Sequence, residues 1–367
     1  MPQPLRLGLL FEYPSLNGGE HSLLAVLKQL GERIHSVALV PAGSPIEAAL
    51  RDLSIETHAW DARSTTDIEL ARILATHPVE VWHANSLAMS RRLGRLAVDL
   101  QAPATGHLRD ILKLSGRAIE DINQLRQIIC VSHATQETHV RQGLTSDRSC
   151  VVYNGLDLER FRPGPSTGHL HAELGLPSDA RLIVNVGQIC LRKGQDTFIA
   201  VATELAKQDD SLHFLHCGAR HSTKAESVAF DQQLDRTMQQ AELSQRWHRL
   251  GIRTDLPLLL REVHLMLHCA RQEPLGRVLL EALACGTPIV ATHVGGTPEI
   301  LRHREEGLIV EPDDTAAMVE AAQLLLNDAE VRNRMTQQGR QRCVEMFNVE
   351  RAARETLSIW RSLRNAD

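Results

Sequence analysis

Short apolar runs alternate along the chain with stretches whose apolar residues recur at helical spacing. In the first half, the runs that predict strands cover residues 5–11, 35–40, 55–60, 79–84, 104–108, 127–132 and 150–153. In the second half they cover residues 182–186, 211–218, 263–269, 288–291 and 307–310. The helical stretches between them are about 10–15 residues long, which is the rhythm of a parallel sheet with crossover helices. The pattern predicts an α/β protein that ends with a helix over residues 349–364.

This rhythm is lost near residues 154–165, where Pro163, Gly164 and Pro165 follow one another, and it restarts at Arg181. Pro and Gly at this density interrupt regular structure and are typical of a domain boundary. The pattern favours two similar α/β domains. A surface loop within a single domain is the alternative that the residues alone leave open.

The stretch from residue 271 to residue 300 is rich in Gly and Pro residues that start or end helices and strands. Pro274 lacks an N–H group and favours extended geometry before it, so a loop is predicted there. A helical pattern begins near Gly276 and stops at Gly286, and a short buried strand follows. A second Gly-rich turn then leads to Thr297, which is the predicted N-cap of another helix.

Two helix N-termini are thus predicted at one edge of the sheet, and such termini attract anions, phosphate above all. Glu273 lies just before the first of these helices, and Glu281 lies within it. Because carboxylates repel phosphates, we expect both to bind sugar hydroxyls on either side of a diphosphate. The alternative is an ordinary crossover helix with two solvated glutamates.

Two other loops have the layout of a phosphate site. Gly18 and Gly19 separate the first strand from a helix predicted over residues 21–30, although the dinucleotide fingerprint GxGxxG is absent. Arg192 and Lys193 lie in a Gly-bracketed loop after the strand at residues 182–186, where cations suit a phosphate. A simple turn and a solvated cation pair are the respective alternatives.

Polar residues follow three strands of the first half, at residues 83–85, 107–110 and 132–133. Ligands of open α/β sheets bind beyond the carboxyl ends of the strands. His107 is therefore a candidate site residue. A hydrogen-bonded structural histidine is the alternative.

Composition narrows the class of protein further. The chain has 367 residues, 43% of them apolar, and a formal net charge of −5, as in a soluble globular protein. Lys and Arg (40) do not exceed Asp and Glu (45), which gives no electrostatic support for a nucleic-acid partner. The seven Cys form no CxxC pair and the 18 His are dispersed, so we expect reduced thiols and no metal site.

The N-terminal apolar run is too short for a signal peptide, and no segment approaches the roughly 18 apolar residues of a membrane span. We therefore expect a cytoplasmic protein. Peripheral contact with the inner face of a membrane stays open.

Residues 271–300 closely resemble the donor-site signature of the GT-B retaining glycosyltransferases of family 4, also called glycosyl transferases group 1. The signature has two Glu separated by seven residues, then Gly-Thr-Pro at 286–288 and Gly-Gly-x-Pro-Glu at 295–299. The linker Asn-Gly-x-Asp at 154–157, with Phe161 and Pro163, is similar as well. The resemblance implies an α/β GT-B fold, with two doubly wound parallel-sheet (Rossmann-like) domains facing across a cleft.

The resemblance also implies a domain plan. Residues 1–163 would form an N-terminal, acceptor-side domain, and residues 164–345 a nucleotide-sugar-binding domain. Residues 346–367 would form a C-terminal helix that crosses back to the first domain. On that helix we expect Trp360 to serve packing rather than ligand contact.

Site roles follow from the same resemblance. Catalytic roles are expected for His107, Glu273, Lys193 and Arg192. The remaining donor-binding residues would be Gly18, Gly19, Gln188, Arg253, Leu275, Gly276, Arg277, Val278 and Glu281. Asn85 and Arg109 are the expected acceptor residues.

The roles divide by charge. Lys193, Arg192 and the helix tip at Gly276 would hold the diphosphate in place of a metal, and no Asp-x-Asp metal motif is evident. Glu281 would bind the ribose, Glu273 the donor sugar, and His107 would lie near the reacting sugar carbon. Residues 248–257 resemble the loop beside the nucleotide base.

Gln188 departs from the family pattern, in which an Arg is usual at this position. Arg192 would have to supply the missing charge. If it does not, the affinity for a diphosphate is in doubt.

The expected function is transfer of a sugar from a nucleotide-diphosphate donor, a UDP- or GDP-sugar, to an acceptor hydroxyl with retained anomeric configuration. No other cofactor is expected. The product could be a polysaccharide, a glycolipid or a small-molecule glycoside.

The base, the sugar and the acceptor stay open. Residues 85–95 and 109–117 are expected to be acceptor loops, whose Arg side chains could meet an anionic or lipid-linked acceptor or could simply be solvated.

Other classes of function remain. A nucleotide-sugar-binding protein with impaired catalysis is favoured slightly by Gln188, but the presence of Glu273, Glu281, Lys193 and His107 argues against it. A sugar-nucleotide epimerase of the same architecture has different motifs. A nicotinamide dehydrogenase is opposed by the absent GxGxxG.

Overall fold

The computed structural model describes residues 3–364, which form two compact units. One unit comprises the described residues of Met1–Asp157 and Phe347–Asp367, and the other comprises Leu158–Met346. The divisions fall after residues 157 and 346, whereas the sequence predicted them after residues 163 and 345.

The strands are short and apolar, and they occur at the positions that the pattern predicts. They are β1 Leu5–Leu10, β2 Ile34–Val40, β3 Glu56–Ala59, β4 Val81–Ala84, β5 Ala104–Leu108, β6 Gln127–Cys130, β7 Ser149–Val151, β8 Arg181–Val186, β9 Leu212–Cys217, β10 Trp247–Gly251, β11 Leu265–His268, β12 Ile289–Thr292 and β13 Leu308–Val310. Only β10 was not predicted, because its residues were assigned to the loop at 248–257. Its polar His248 and Arg249 suit the edge position that it occupies.

Helices connect the strands. They are α1 Gly18–Leu30, α2 Pro45–Asp52, α3 Asp67–Ala75, α4 Leu87–Leu96, α5 Gly116–Asn123, α6 His133–Val140, α7 His169–Leu174, α8 Gln195–Ala206, α9 Ala225–Gln240, α10 Leu256–Glu262, α11 Arg277–Cys285, α12 Thr297–Ile300, α13 Thr315–Asn327, α14 Ala329–Met346 and α15 Val349–Arg364. No helix among residues 3–364 has the length and apolar character needed to cross a membrane.

Each unit is built on one parallel sheet. The seven strands of the first have the order β3-β2-β1-β4-β5-β6-β7, and the six of the second have the order β10-β9-β8-β11-β12-β13. The order reverses between β1 and β4 in the first sheet and between β8 and β11 in the second. Such switch points leave a crevice beyond the strand ends, where ligands of doubly wound folds bind.

Both faces of the first sheet are covered. Leu5, Leu7 and Leu9 of β1 join the core that includes Trp360 of α15, whereas Leu10 joins the core on the opposite face. Trp360 is fully buried, as the sequence predicted. Burial on both faces explains why the strands read as nearly continuous apolar runs rather than as alternating ones.

Three local predictions were wrong. The first helix starts at Gly18 rather than at residue 21, because the Asn17 N–H group donates to Glu20 Oε2 (3.1 Å) and caps an earlier turn. Residues 85–95 are mostly helix α4, started by the Ser86 hydroxyl, which accepts from the Met89 N–H group. Thr297 is the first residue of α12, and Gly296 is its N-cap.

Helix α4 also changes the expectation for its basic residues. Arg92 and Arg95 pair with Asp67, and Arg91 and Arg95 pair with Asp121. These guanidinium groups are therefore neither simply solvated nor open to an acceptor as the structure stands.

Candidate donor and acceptor sites

The switch point of the second sheet brings two predicted catalytic residues together. Lys193 lies in the loop after β8 and Glu273 in the loop after β11, and Lys193 Nζ donates to Glu273 Oε2. Their side chains are 13% and 8% exposed, respectively. Lys193 and Glu273 are 80 residues apart in the sequence, and they meet because β8 and β11 are neighbours in the sheet.

His268, the last residue of β11, completes this cluster. Because an ionised carboxylate only accepts hydrogen bonds, His268 Nε2 is the donor to Glu273 Oε2, at 3.1 Å. Burial by itself raises the pKa of Glu273, but the Lys193 cation and the His268 hydrogen bond outweigh it and hold that pKa well below its usual value of 4.5. Burial lowers the pKa of His268, although Glu273 opposes this. The cluster is therefore a buried, ionised carboxylate beside one cation.

The backbone around Glu273 is held by the second Gly-rich turn. The Gly296 N–H group donates to the Glu273 carbonyl oxygen at 2.9 Å. A Cβ atom at Gly296 would lie 2.5 Å from the Pro274 carbonyl oxygen and 2.7 Å from Leu275 Cα. Only glycine allows this close approach of the two loops.

Helix α11 begins directly after this loop. Its N-cap, Gly276, has φ +103°, and no side chain caps the first turn. The side chain of Leu275 is buried, and its donor-binding role stays a prediction. Helix α11 therefore starts where the sequence predicted an anion-binding tip.

Glu281 lies one turn into α11 and is buried. Its Oε1 accepts from Arg277 Nε at 2.8 Å, in an i,i+4 pair within the helix. Arg277 and Glu281, both predicted to bind the donor, therefore form an ion pair with each other in this structure.

The loop that carries Gln188 is organised by a residue that sequence reasoning missed. The buried Gln195 side chain donates to the Gln188 carbonyl oxygen at 2.9 Å and accepts from the Cys190 N–H group at 3.3 Å. Arg192 is exposed on the same loop. Gln188 is half-buried, and Gln195 fixes the backbone of the loop that carries it.

Arg253 follows the edge strand β10 and has two carboxylate partners. Its guanidinium group donates to both oxygens of Glu173 (2.6 and 2.9 Å) and of Asp255 (2.8 and 2.6 Å). The structure does not bring Arg253 to the Lys193–Glu273 pair, and its donor-binding role stays a prediction.

The switch point of the first sheet holds a second polar cluster, centred on Arg109. Its guanidinium group donates to Asn85 Oδ1 (3.2 and 3.1 Å), to Asn154 Oδ1 (2.8 Å) and to His107 Nδ1 (3.0 Å). Gly19 lies beside it, since a Cβ atom there would be 2.8 Å from Arg109 Cδ. The structure thus unites the predicted residues Asn85, His107 and Arg109.

The imidazole of His107 is a single tautomer. Because Arg109 can only donate, His107 Nδ1 accepts and the ring proton is on Nε2. Burial, the Arg109 charge and His83 lower its pKa well below 6.5. His107 Nε2 is buried and has no partner among residues 3–364. His107 is therefore a neutral donor with one unused N–H group.

Sequence reasoning missed His268, Gln195 and Asn154 as site residues. His268 carried a usable signal, because it is a polar residue at the carboxyl end of an apolar strand, as His107 is. Gln195 carried no such signal, since its role depends on the fold of the loop that its side chain contacts.

Two units that are each built on one parallel α/β sheet are the architecture of the GT-B class. HepE of Anabaena, solved in complex with UDP and glucose, superposes with a TM-score of 0.87 at 20% identity, over 98% of this chain and 100% of that one. At this identity the likeness concerns the fold.

Sequence comparison identifies the family. Residues 167–342 match the family "Glycosyl transferases group 1", and residues 16–160 match "Glycosyltransferase Family 4". The chain belongs to these glycosyltransferases, as the signature at 271–300 predicted.

Individual relatives are more distant. The chain is 25% identical to N-acetyl-alpha-D-glucosaminyl L-malate synthase of Bacillus anthracis, over 95% of this chain and 94% of that protein. It is 28% identical to the lipopolysaccharide core biosynthesis mannosyltransferase LpsB of Rhizobium meliloti, over 78% of this chain and 80% of that protein.

Proposed function

We propose that this glycosyltransferase moves a sugar from a nucleoside-diphosphate donor to an acceptor hydroxyl and retains the anomeric configuration. The observation that carries the proposal is the buried Lys193–Glu273–His268 cluster at the switch point, directly before the uncapped tip of α11. HepE, which shares the fold, has been solved with UDP-glucose, and this supports a nucleotide-sugar donor.

Charge assigns the roles at the donor. The bond between the sugar carbon and the diphosphate breaks, so negative charge grows on the leaving group and needs cations and amides. Lys193, Arg192 and the first turn of α11 would supply them. Glu273 stays ionised and would accept hydrogen bonds from the sugar hydroxyls, and Glu281 would accept those of the ribose.

The acceptor side follows from the first unit. The only free lone pair of the neutral His107 ring, on Nδ1, accepts from Arg109, and its lowered pKa makes the ring a weak base. We therefore assign His107 a hydrogen-bond donor role through Nε2–H beside the reacting carbon. The acceptor hydroxyl would attack on the same face, and its proton would pass to the departing phosphate oxygen. Asn85 and Arg109 would orient the acceptor.

The donor of this proposal is a UDP- or GDP-sugar, and no other cofactor is invoked. The acceptor would be a glycan, a lipid-linked sugar or a small molecule. The expected compartment is the cytoplasm, with peripheral membrane contact if the acceptor is a lipid.

Thermal-shift screening against nucleotide sugars, followed by measurement of nucleotide release with candidate acceptors, tests the proposal. Lys193→Ala should lower turnover by roughly a hundredfold, because one cation at the leaving group is lost. Lys207→Ala is the control, since Lys207 pairs with Glu204 on an exposed part of α8. A near-normal rate for Lys193→Ala would reject the assignment, and binding without release would favour the non-catalytic alternative.

Glu281→Ala should weaken the binding of free UDP or GDP, because the ribose loses its acceptor. Glu47→Ala is a matched control: Glu47 also forms an i,i+4 pair, with Arg51, and its side chain is 10% exposed, as that of Glu281 is. Isothermal titration calorimetry measures both affinities. Unchanged affinity in Glu281→Ala would remove the ribose role.

A further inference from the structure

Arg271, in the loop after β11, uses its side chain to contact three segments of the second unit. Its guanidinium group donates to Asp196 (2.8 and 2.8 Å), to Asp313 (2.9 and 3.1 Å) and to the Leu191 carbonyl oxygen (2.8 Å). It also donates to Thr197 Oγ1 at 3.2 Å. One planar fork thus joins three loops, which follow β8, β11 and β13.

The backbone of Arg271 belongs to the same arrangement. Its N–H group donates to the Arg192 carbonyl oxygen at 2.8 Å. Arg271 therefore holds the carbonyl groups of residues 191 and 192, the two residues that directly precede Lys193. The rigid geometry of guanidinium makes simultaneous contacts of this kind possible, and a lysine could not reproduce them.

The far end of the arrangement is conformationally unusual. Asp313 has φ +64°, in the left-handed region that non-glycine residues seldom adopt. Its carboxylate accepts from Arg271 and from Thr197 Oγ1 (3.0 Å). Such a conformation persists only where surrounding contacts hold it. Here the contacts are with Arg271 and Thr197, and Arg271 in turn contacts the loop that carries Lys193.

We propose that Arg271 is a positioning residue, which holds Arg192 and Lys193 where they can neutralise the leaving diphosphate. This inference rests on the proposed function. Arg271 does not touch the donor itself. It acts through the Lys193 loop, and the carboxylates of Asp196 and Asp313 anchor it.

The test uses the full chain and two pairs of probes, UDP with UMP and GDP with GMP, in titration calorimetry. Arg271→Met should weaken nucleoside diphosphate binding by about tenfold, because misplaced cations lose much of their effect. The affinity for the monophosphate should change much less. A loss shared equally by diphosphate and monophosphate would indicate a merely structural role and overturn the proposal.

Arg246→Met is the matched control. Arg246 donates to the Ala206 carbonyl oxygen (3.0 Å) at the carboxyl end of α8, whereas Arg271 holds Asp196 and Thr197 at the amino end of the same helix. We expect diphosphate affinity within twofold of wild type for this variant. If both variants lose the same diphosphate affinity, the loss comes from a less stable α8, and the proposal is contradicted.

A combined variant separates positioning from direct contact. If Arg271 acts through Arg192 and Lys193, then Arg271→Met adds little to a chain in which both cations are replaced by Met, whereas independent effects would multiply. Additive losses would therefore overturn the proposal. Asp313→Gly keeps the backbone conformation accessible and removes one anchor, so it should weaken diphosphate binding in the same direction even if Arg271→Met folds poorly.

The two levels of the proposal fail differently. A wild-type chain that binds neither UDP nor GDP would contradict the donor class of the proposed function. If the wild-type chain binds UDP or GDP and the Arg271→Met variant binds it with the same affinity, only the role of Arg271 is contradicted.

Discussion

Glu273 is a buried carboxylate that keeps its charge. Desolvation opposes ionisation, yet Lys193 and His268 both contact the same Oε2 atom and reverse the outcome. A group like this contributes to folding as well as to ligand binding. Its folded-state pKa lies below the unfolded value, so the contribution is present above the unfolded pKa and is lost as the pH falls toward the folded one.

Glu273→Gln should therefore change how the free energy of unfolding depends on pH in the acidic range. Near pH 7 the variant should lose about 3 kcal/mol of unfolding free energy, because Lys193 remains partly buried without its partner. Below pH 4.5 the wild-type value should fall more steeply than that of the variant, by up to about 1.4 kcal/mol per pH unit. Urea denaturation between pH 7 and pH 3.5 measures both. Parallel curves for the two proteins would show that Glu273 is not held ionised.

At the scale of elements, the donor edge depends on two loops packed backbone to backbone. The Gly-rich turn before α12 supports the loop before α11, and Gly296 leaves no room for a side chain there. Helix α12 is only four residues long, and its role as the second predicted anion-binding helix tip stays a prediction.

Gly296→Ala should destabilise the second unit by about 1–3 kcal/mol, since its Cβ would overlap backbone atoms that cannot rotate away. Gly116→Ala is the control, because a Cβ atom there meets no atom within 4 Å. Thermal and urea unfolding measure the difference. Equal stabilities for the two variants would mean that the loops separate at little cost.

At the scale of the molecule, the last helix belongs to the first unit. Helix α15 adds Ala353, Leu357 and Trp360 to the core that contains β1, and Trp360 Nε1 donates to His83 Nδ1 at 3.4 Å. The unit is therefore discontinuous in sequence, and residues from both ends of the chain are needed to complete its core.

Trp360→Ala should cost about 3–5 kcal/mol, the range for removing a large buried aromatic side chain. Because its described contacts lie in the first unit, amide hydrogen exchange should accelerate in β1 and β2 and stay unchanged in β8 and β11. Mass spectrometry of the exchanged chain measures this. Uniform acceleration in both sheets would contradict the assignment of α15 to the first unit.

Periodicity predicted most strands within one or two residues, because strands buried on both faces are apolar throughout. It missed β10, an edge strand in which His248 and Arg249 interrupt the apolar run. Helix starts were less predictable. At α1 and α12, local hydrogen bonds and backbone geometry decided the first residue, and these competing caps look alike in sequence.

The sequence by itself determined the family, the α/β rhythm and the residues Lys193 and Glu273, because each depends on residue type and spacing along the chain. Only the tertiary structure decided which of these residues meet. The ionised state of Glu273, the tautomer of His107 and the anchoring of the Lys193 loop by Arg271 all require atoms far apart in the chain, and hydrogen bonds and desolvation act over a few ångströms of space rather than along the sequence.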